Sequence, residues 1–188
     1  MLGRIKSIPA STSHQGKRDQ VVTVSIQIVE AALDRLHRAV IGGASAQYCL
    51  RRWSEFVRLR DGNRCVDCHS HRRLSAHHIC RKSLIASAQF ETGNGITLCS
   101  NCHREMHDAF NGRRDLAQPI DAQGGEKLHK MERLYSILTD DAVERGLTRQ
   151  EFYFLSDRTL ASFKRMQGYP IDTYFTGGPA RTGVFDIG

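Results

Sequence analysis

No stretch of the 188 residues approaches the roughly 20 consecutive apolar residues that a membrane span requires, so the chain is expected to be soluble. Residues 1–20 also lack the continuous apolar core of a secretory leader. That points to the cytoplasm, where thiols stay reduced and disulfides are rare. No internal repeat is visible, and a solenoid is excluded with it. Acidic residues are in deficit. Asp and Glu number 20 against 27 Lys and Arg, for a formal charge of +7 and a pI near 9.3. A surplus of that sign favours an anionic partner such as nucleic acid. The length fits one domain, or a small domain with extensions.

The surplus is uneven. Residues 51–82 hold nine basic side chains against three acids, an excess of six, with Arg64, Arg72, Arg73, Arg81 and Lys82 among them. Phosphate contacts from such a cluster would supply affinity that is indifferent to base sequence and falls as salt rises. Arg81 and Lys82 follow directly on His77-His78-Ile79, where they can meet a phosphate or simply be a solvated strand end.

Six cysteines are present, four of them in two Cys-x-x-Cys pairs, Cys65/Cys68 and Cys99/Cys102. In a reducing compartment such pairs usually mark metal rather than disulfides. Four thiolates close a tetrahedral zinc site, and in a small domain the bound ion contributes folding free energy directly. The 30 residues between the pairs exceed the span of a simple zinc ribbon, so a unit is inserted there. Cys49 and Cys80 are left over and read as small, partly buried side chains.

The insertion contains His77, His78 and Asn94, and the second pair runs straight into His103 and His107. Histidines four apart on a helix share a face and can clasp one ion. Adjacent histidines on a strand point to opposite faces, so His77 and His78 divide between two tasks, metal binding and water activation being one division. Three imidazoles with open positions accept Mg2+, Mn2+, Ni2+ or Zn2+. His14, His37, His69, His71 and His129 read as solvated side chains, with His69 or His71 able to touch phosphate.

Residues 1–20 read as a flexible basic arm, because too few large apolar groups are present to offset ordering entropy. In the N-terminal extension, 21–47, the apolar alternation of Val22, Val24, Ile26 and Ile28 suggests a strand that gives way to helix near Ser25, or else one continuous helix stopped by Gly42 and Gly43. Leu50, Trp53, Phe56 and Val57 mark one face of a helix over 47–60 that ends at the turn signal Asp61-Gly62-Asn63. Short strands are expected at 74–79 and 95–98, followed by a helix over 100–111. Residues 112–125 read as a linker. In the C-terminal extension, 126–167, Leu128, Met131, Leu134 and Leu138 mark one helix, and a second is expected from Thr148, whose hydroxyl forms a capping-box pattern with Glu151. Residues 168–188 read as an extended tail.

Taken together, Cys-x2-Cys, His-His-Ile, Asn-x4-Cys-x2-Cys-His-x3-His resembles the HNH endonucleases, and the approach through Arg58, Arg60, Asp61, Gly62, Asn63 and Arg64 to Cys65 is similar to that family's. The resemblance covers roughly residues 51–110, a little under a third of the chain. Cys80 stands where the family often has Pro, and Phe90-Glu91-Thr92-Gly93 where it often has a Gly-Gly loop. The resemblance implies an α+β fold class: a small ββα-metal (HNH) core over 48–111 with a structural four-cysteine zinc, flanked by helical N- and C-terminal extensions. It implies that His77, His103 and His107 ligate a catalytic divalent cation and that His78 is the general base. Asn94 would complete the catalytic pair indirectly, by holding the loop that orients His78; on spacing alone it is a turn asparagine. The implied reaction is hydrolysis of DNA to 5′-phosphate and 3′-hydroxyl ends. The implied partner is DNA, double-stranded and read with low sequence specificity, and the C-terminal helices offer a surface for a protein partner or self-association. The alternative is a zinc-stabilised nucleic-acid-binding module without catalysis.

Overall fold

A computed structural model of the chain describes residues 15–82, 85–107 and 128–166. Five α-helices and two strands follow in the order α1 (Gln15–Ile41), α2 (Ala46–Arg60), β1 (Leu74–His78), β2 (Gly95–Cys99), α3 (Ser100–Met106), α4 (Leu128–Glu144) and α5 (Asp157–Met166).

The stretch 21–28 is helical throughout, which decides for the continuous helix over the strand alternative, and α1 begins at Gln15, inside the arm expected to be flexible. Val29, Ala32, Leu33, Leu36 and Ala39 are buried at helical spacing. A helix nucleated on that packed face extends toward its N-terminus at little cost, so it overrides the local alternation of β-branched residues. Gly43, at φ 66°, ends α1, and Ser45 opens α2 by accepting the Tyr48 N–H at 3.3 Å.

Trp53, Phe56 and Val57, the expected inner face of α2, are no more than 1% exposed, and burying one such side chain contributes about 1.5–3 kcal/mol. The strands pair antiparallel, Leu74 opposite Cys99, His77 opposite Ile96 and His78 opposite Gly95. α2 and α3 both pack against this hairpin, and β2 is buried along its whole length.

At the foot of α2 lies a buried charge pair. Arg60 and Asp61 have fully buried side chains bridged at 2.7 Å. The Arg60 guanidinium also donates to the carbonyls of Thr92 at 2.7 Å, Gly95 at 2.5 Å and Phe152 at 3.1 Å, and lies over the Tyr153 ring. Asp61 accepts the Thr97 N–H at 2.7 Å. One ion pair thus joins α2, both ends of the turn before β2, β2 itself and the C-terminal extension. Burial works against the charge on Arg60, but Asp61 together with Tyr153 and Asp141 outweighs it, and the guanidinium titrates above its usual value.

α4 buries Met131, Leu134, Tyr135 and Leu138 as its apolar stripe. The helix expected from Thr148 is a short 3-10 turn at Gln150–Tyr153 followed by extended chain, and α5 starts only at Asp157, with Ser156 Oγ accepting the Thr159 N–H. The reason is tertiary. The Phe154 carbonyl accepts the Gly93 N–H at 2.9 Å, and the Phe154 N–H donates to Thr92 Oγ1 at 2.8 Å, so this backbone is committed to the turn before β2 and cannot close a helix on itself. Glu151 pairs with Arg149 instead of the Thr148 cap. α3 ends at Met106, with His107 at its C-terminal cap. Residues 108–111 of the expected helix, the linker 112–125, residues 1–14 of the arm and the tail 168–188 lie outside the described residues. No helix among those described is long and apolar enough to cross a membrane.

Candidate metal centres and His78

Tight turns bring the two cysteine pairs together. His69 follows Cys68 at φ 60° and donates its N–H to the Cys65 carbonyl at 2.8 Å, which folds the first pair into a knuckle. The second pair straddles the junction of β2 and α3. All four sulfurs lie within 4.8 Å of one another, and Cys68 Sγ and Cys99 Sγ are 3.6 Å apart. Tetrahedral zinc with bonds near 2.3 Å sets its sulfurs about 3.8 Å apart, so the donor set fits, and the cluster can hold a structural metal such as zinc. Cys99 precedes the first turn of α3. The backbone N–H of Cys102 points at its sulfur, and this, with the neighbouring thiols and the Asn101 N–H, brings the thiol down to about 7 against the opposing effect of burial. Cys102 is pushed the other way by burial and by the nearby Asp67.

β1 alternates its faces. His77 is buried on the side of α3, where its ring meets His103 and His107 edge-on at 4.9 Å between centroids, and those two stand 4.6 Å apart. The three offer one nitrogen each within 4.8 Å, a second group able to hold an ion. Burial, and then the proximity of His103 and His107, push His77 down to about 3; burial also lowers His103 and His107. All three are therefore neutral near pH 7, the state in which an imidazole donates to a metal.

His78 faces the other way. Its Nε2 is 2.9 Å from the Gln89 carbonyl, and its ring lies flat on Trp53, 4.0 Å between centroids and 7° between planes. A carbonyl oxygen only accepts, so Nε2 carries the proton and the lone pair of the neutral ring sits on Nδ1. Burial lowers its pKa, opposed by the Gln89 bond and reinforced by Lys82.

Asn94 is fully buried at the entry to β2. Its Oδ1 accepts the Cys80 N–H at 2.8 Å, and its Nδ2 donates to the carbonyls of Cys80 at 3.0 Å and Ala88 at 3.1 Å. It ties the end of β1 to the 3-10 turn Ala86–Phe90, which carries Gln89.

The basic cluster does not form one face. Arg60 is internal, and Arg64 is spent on Asp141 of α4 at 2.6 Å. Arg72, Arg73 and Lys82 are exposed, whereas Arg81 is buried near enough to His107 to lower its pKa. Charge counted along the chain does not separate the buried members from the exposed ones. Cys49 and Cys80 are buried, and His37, His69, His71 and His129 are exposed.

Two neighbours of His78 carry no site signal in the sequence. Trp53 reads as a core residue of α2, and Gln89 acts through its backbone, which no side-chain pattern announces. The nearest signal was the single tryptophan of the chain on the inner face of the helix leading to the first knuckle. No family model, curated protein or solved structure matches the chain.

Proposed function

We propose that the chain is a metal-dependent endonuclease of HNH type that hydrolyses DNA phosphodiesters to 5′-phosphate and 3′-hydroxyl ends. One observation carries the reading. Neighbouring residues of one strand present a three-imidazole cluster on one face and, on the other, an imidazole whose proton is fixed at Nε2. An isolated metal site has no need of the second feature, whereas a hydrolase needs a base beside its ion.

His77, His103 and His107 would hold the catalytic cation, whether Mg2+, Mn2+, Ni2+ or Zn2+. When bound it supplies neutralisation of charge on the phosphoryl group and the leaving 3′-oxygen. His78 takes a proton from water at Nδ1, the water oxygen attacks phosphorus opposite the leaving group, the bond from phosphorus to the 3′-oxygen breaks, and that oxygen takes up a proton from solvent. Because the His78 pKa is lowered, the ring is neutral and ready to accept that proton at pH 7. Asn94 acts indirectly, as a positioning residue, by fixing the turn that carries Gln89. Arg81 beside His107, with Lys82, Arg72 and Arg73, meets the phosphates. Phosphate contacts of this kind carry no sequence information, which suits double-stranded DNA cut with low specificity.

Metal analysis combined with cleavage of plasmid, single-stranded DNA and RNA, comparing the parent with His78→Ala, tests the reading. The parent is expected to cut DNA in a chelator-sensitive way, and His78→Ala to keep fold, metal and DNA binding while losing cleavage. A parent that binds DNA but cuts nothing with any of the four cations would instead be a zinc-stabilised binding module.

A further inference from the structure

Trp53 does more than fill the core. Its indole lies parallel to the His78 ring at 4.0 Å, and its Nε1 donates to the Glu91 carbonyl at 3.0 Å, so the ring cannot turn without breaking that bond. Glu91 is in turn held by the C-terminal extension. Its carboxylate accepts Ser156 Oγ at 2.6 Å, the Ser156 N–H at 3.1 Å and Thr159 Oγ1 at 3.0 Å. A continuous chain of contacts therefore runs from the start of α5 through Glu91 and Trp53 to the face of His78.

We propose that Trp53 is a positioning residue for His78, setting the plane of its ring so that Nε2 meets Gln89 and Nδ1 faces the reacting water, and that Glu91 and the C-terminal extension hold Trp53 in place. The assignment rests on the nuclease reading for its catalytic consequence and on geometry alone for the orientation of the ring. A single hydrogen bond to a carbonyl leaves an imidazole free to swing about that bond, and a flat partner on its face removes the freedom. The extension is then a structural part of the cleavage site rather than an appended module.

The test uses the full zinc-loaded chain and three variants: Trp53→Leu, which removes the flat face; Trp53→Phe, which keeps a face but loses the N–H; and Glu91→Ala, which cuts the link to the extension. Imidazole 15N shifts of His78 report the tautomer and need no activity. The parent is expected to show one protonated and one pyridine-type nitrogen, Trp53→Leu two nitrogens averaged toward each other, and Trp53→Phe a pattern near the parent's. Misplacing a reacting group by about 1 Å costs on the order of 100-fold, so kcat in Trp53→Leu is expected to fall by about that factor with KM for DNA unchanged, Trp53→Phe to recover most of the loss, and Glu91→Ala to lie between. A purely structural role for Trp53 predicts instead that kcat falls only in proportion to the fraction of folded protein in all three, with parent-like His78 shifts in the molecules that remain folded. Parent-like shifts in Trp53→Leu, or averaged shifts with undiminished kcat, overturn the proposal. A parent that cuts nothing overturns the nuclease reading, while the shifts still decide whether Trp53 sets the ring.

Discussion

Replacing Arg60 by Met tests whether the buried ion pair, rather than the apolar core around it, holds the two halves of the site together. Methionine fills much of the space of the arginine stem, so the loss is chiefly electrostatic. It leaves Asp61 buried with the Thr97 N–H as its remaining partner and withdraws donors from the carbonyls of Thr92, Gly95 and Phe152. Removing one partner of a buried pair costs about 3–5 kcal/mol, a large share of the roughly 5–15 kcal/mol that keeps a domain folded. With a urea m-value near 2 kcal/mol/M, the midpoint at fixed zinc should fall by about 2 M. The double variant Arg60→Met with Asp61→Asn no longer buries an unpaired carboxylate. It should recover part of that loss and yield a coupling energy above about 1 kcal/mol. The reasoning is refuted if Arg60→Met lowers the midpoint by less than about 0.5 M with m unchanged, or if the two substitutions are simply additive.

Stripping the four-cysteine ion with a strong chelator should release about one equivalent of metal and unfold the β1–β2 hairpin, read as collapse of amide protection at Ile96 and Leu98, since all four donors flank that hairpin. Gly95→Ala sets a Cβ within 2.6 Å of both the Trp53 ring and Val57, so it should cost about 1–3 kcal/mol in thermal unfolding and lower kcat with it. Asn94→Ala removes the acceptor of the buried Cys80 N–H and a donor to the carbonyls of Cys80 and Ala88, which should cost about 1–3 kcal/mol and reduce cleavage well beyond the loss of folded protein. His77 titrates near 6.5 when unfolded and at about 3 when folded, so as pH falls below 6.5 the unfolded chain takes up a proton the folded one refuses. With the histidine site metal-free, stability should drop by up to about 1.4 kcal/mol per pH unit between 6.5 and 3 on this account, and His77→Asn should flatten the slope in urea titrations.

What the chain announced in advance lay at short covalent range. Cys-x-x-Cys, His77-His78 and His103-x3-His107 are spacings within a knuckle, a strand and a helical turn, and each group meets its partners because one hairpin closes them. Contacts fixed by that closure across longer separations left no mark. Trp53 reaches His78 and Glu91 only once the hairpin register is set, and Arg60 turns from a surface charge into an internal one only when Thr92, Gly95 and Phe152 surround it. The capping pattern at Thr148 misled because it is local, while the backbone of 150–155 bonds to the turn at 91–95 some sixty residues earlier. In α1 the local pattern left strand and helix both open over 21–28, and packing farther along the helix decides between them.

Because the chain has one tryptophan, and that indole rests on His78, the site contains its own optical probe. Indole emission is quenched by a cationic imidazole in van der Waals contact and spared by a neutral one. Steady-state fluorescence of the unlabelled protein therefore reports the charge on a single histidine, and stopped-flow mixing with cation or oligonucleotide can follow that charge in real time without a dye or a tag.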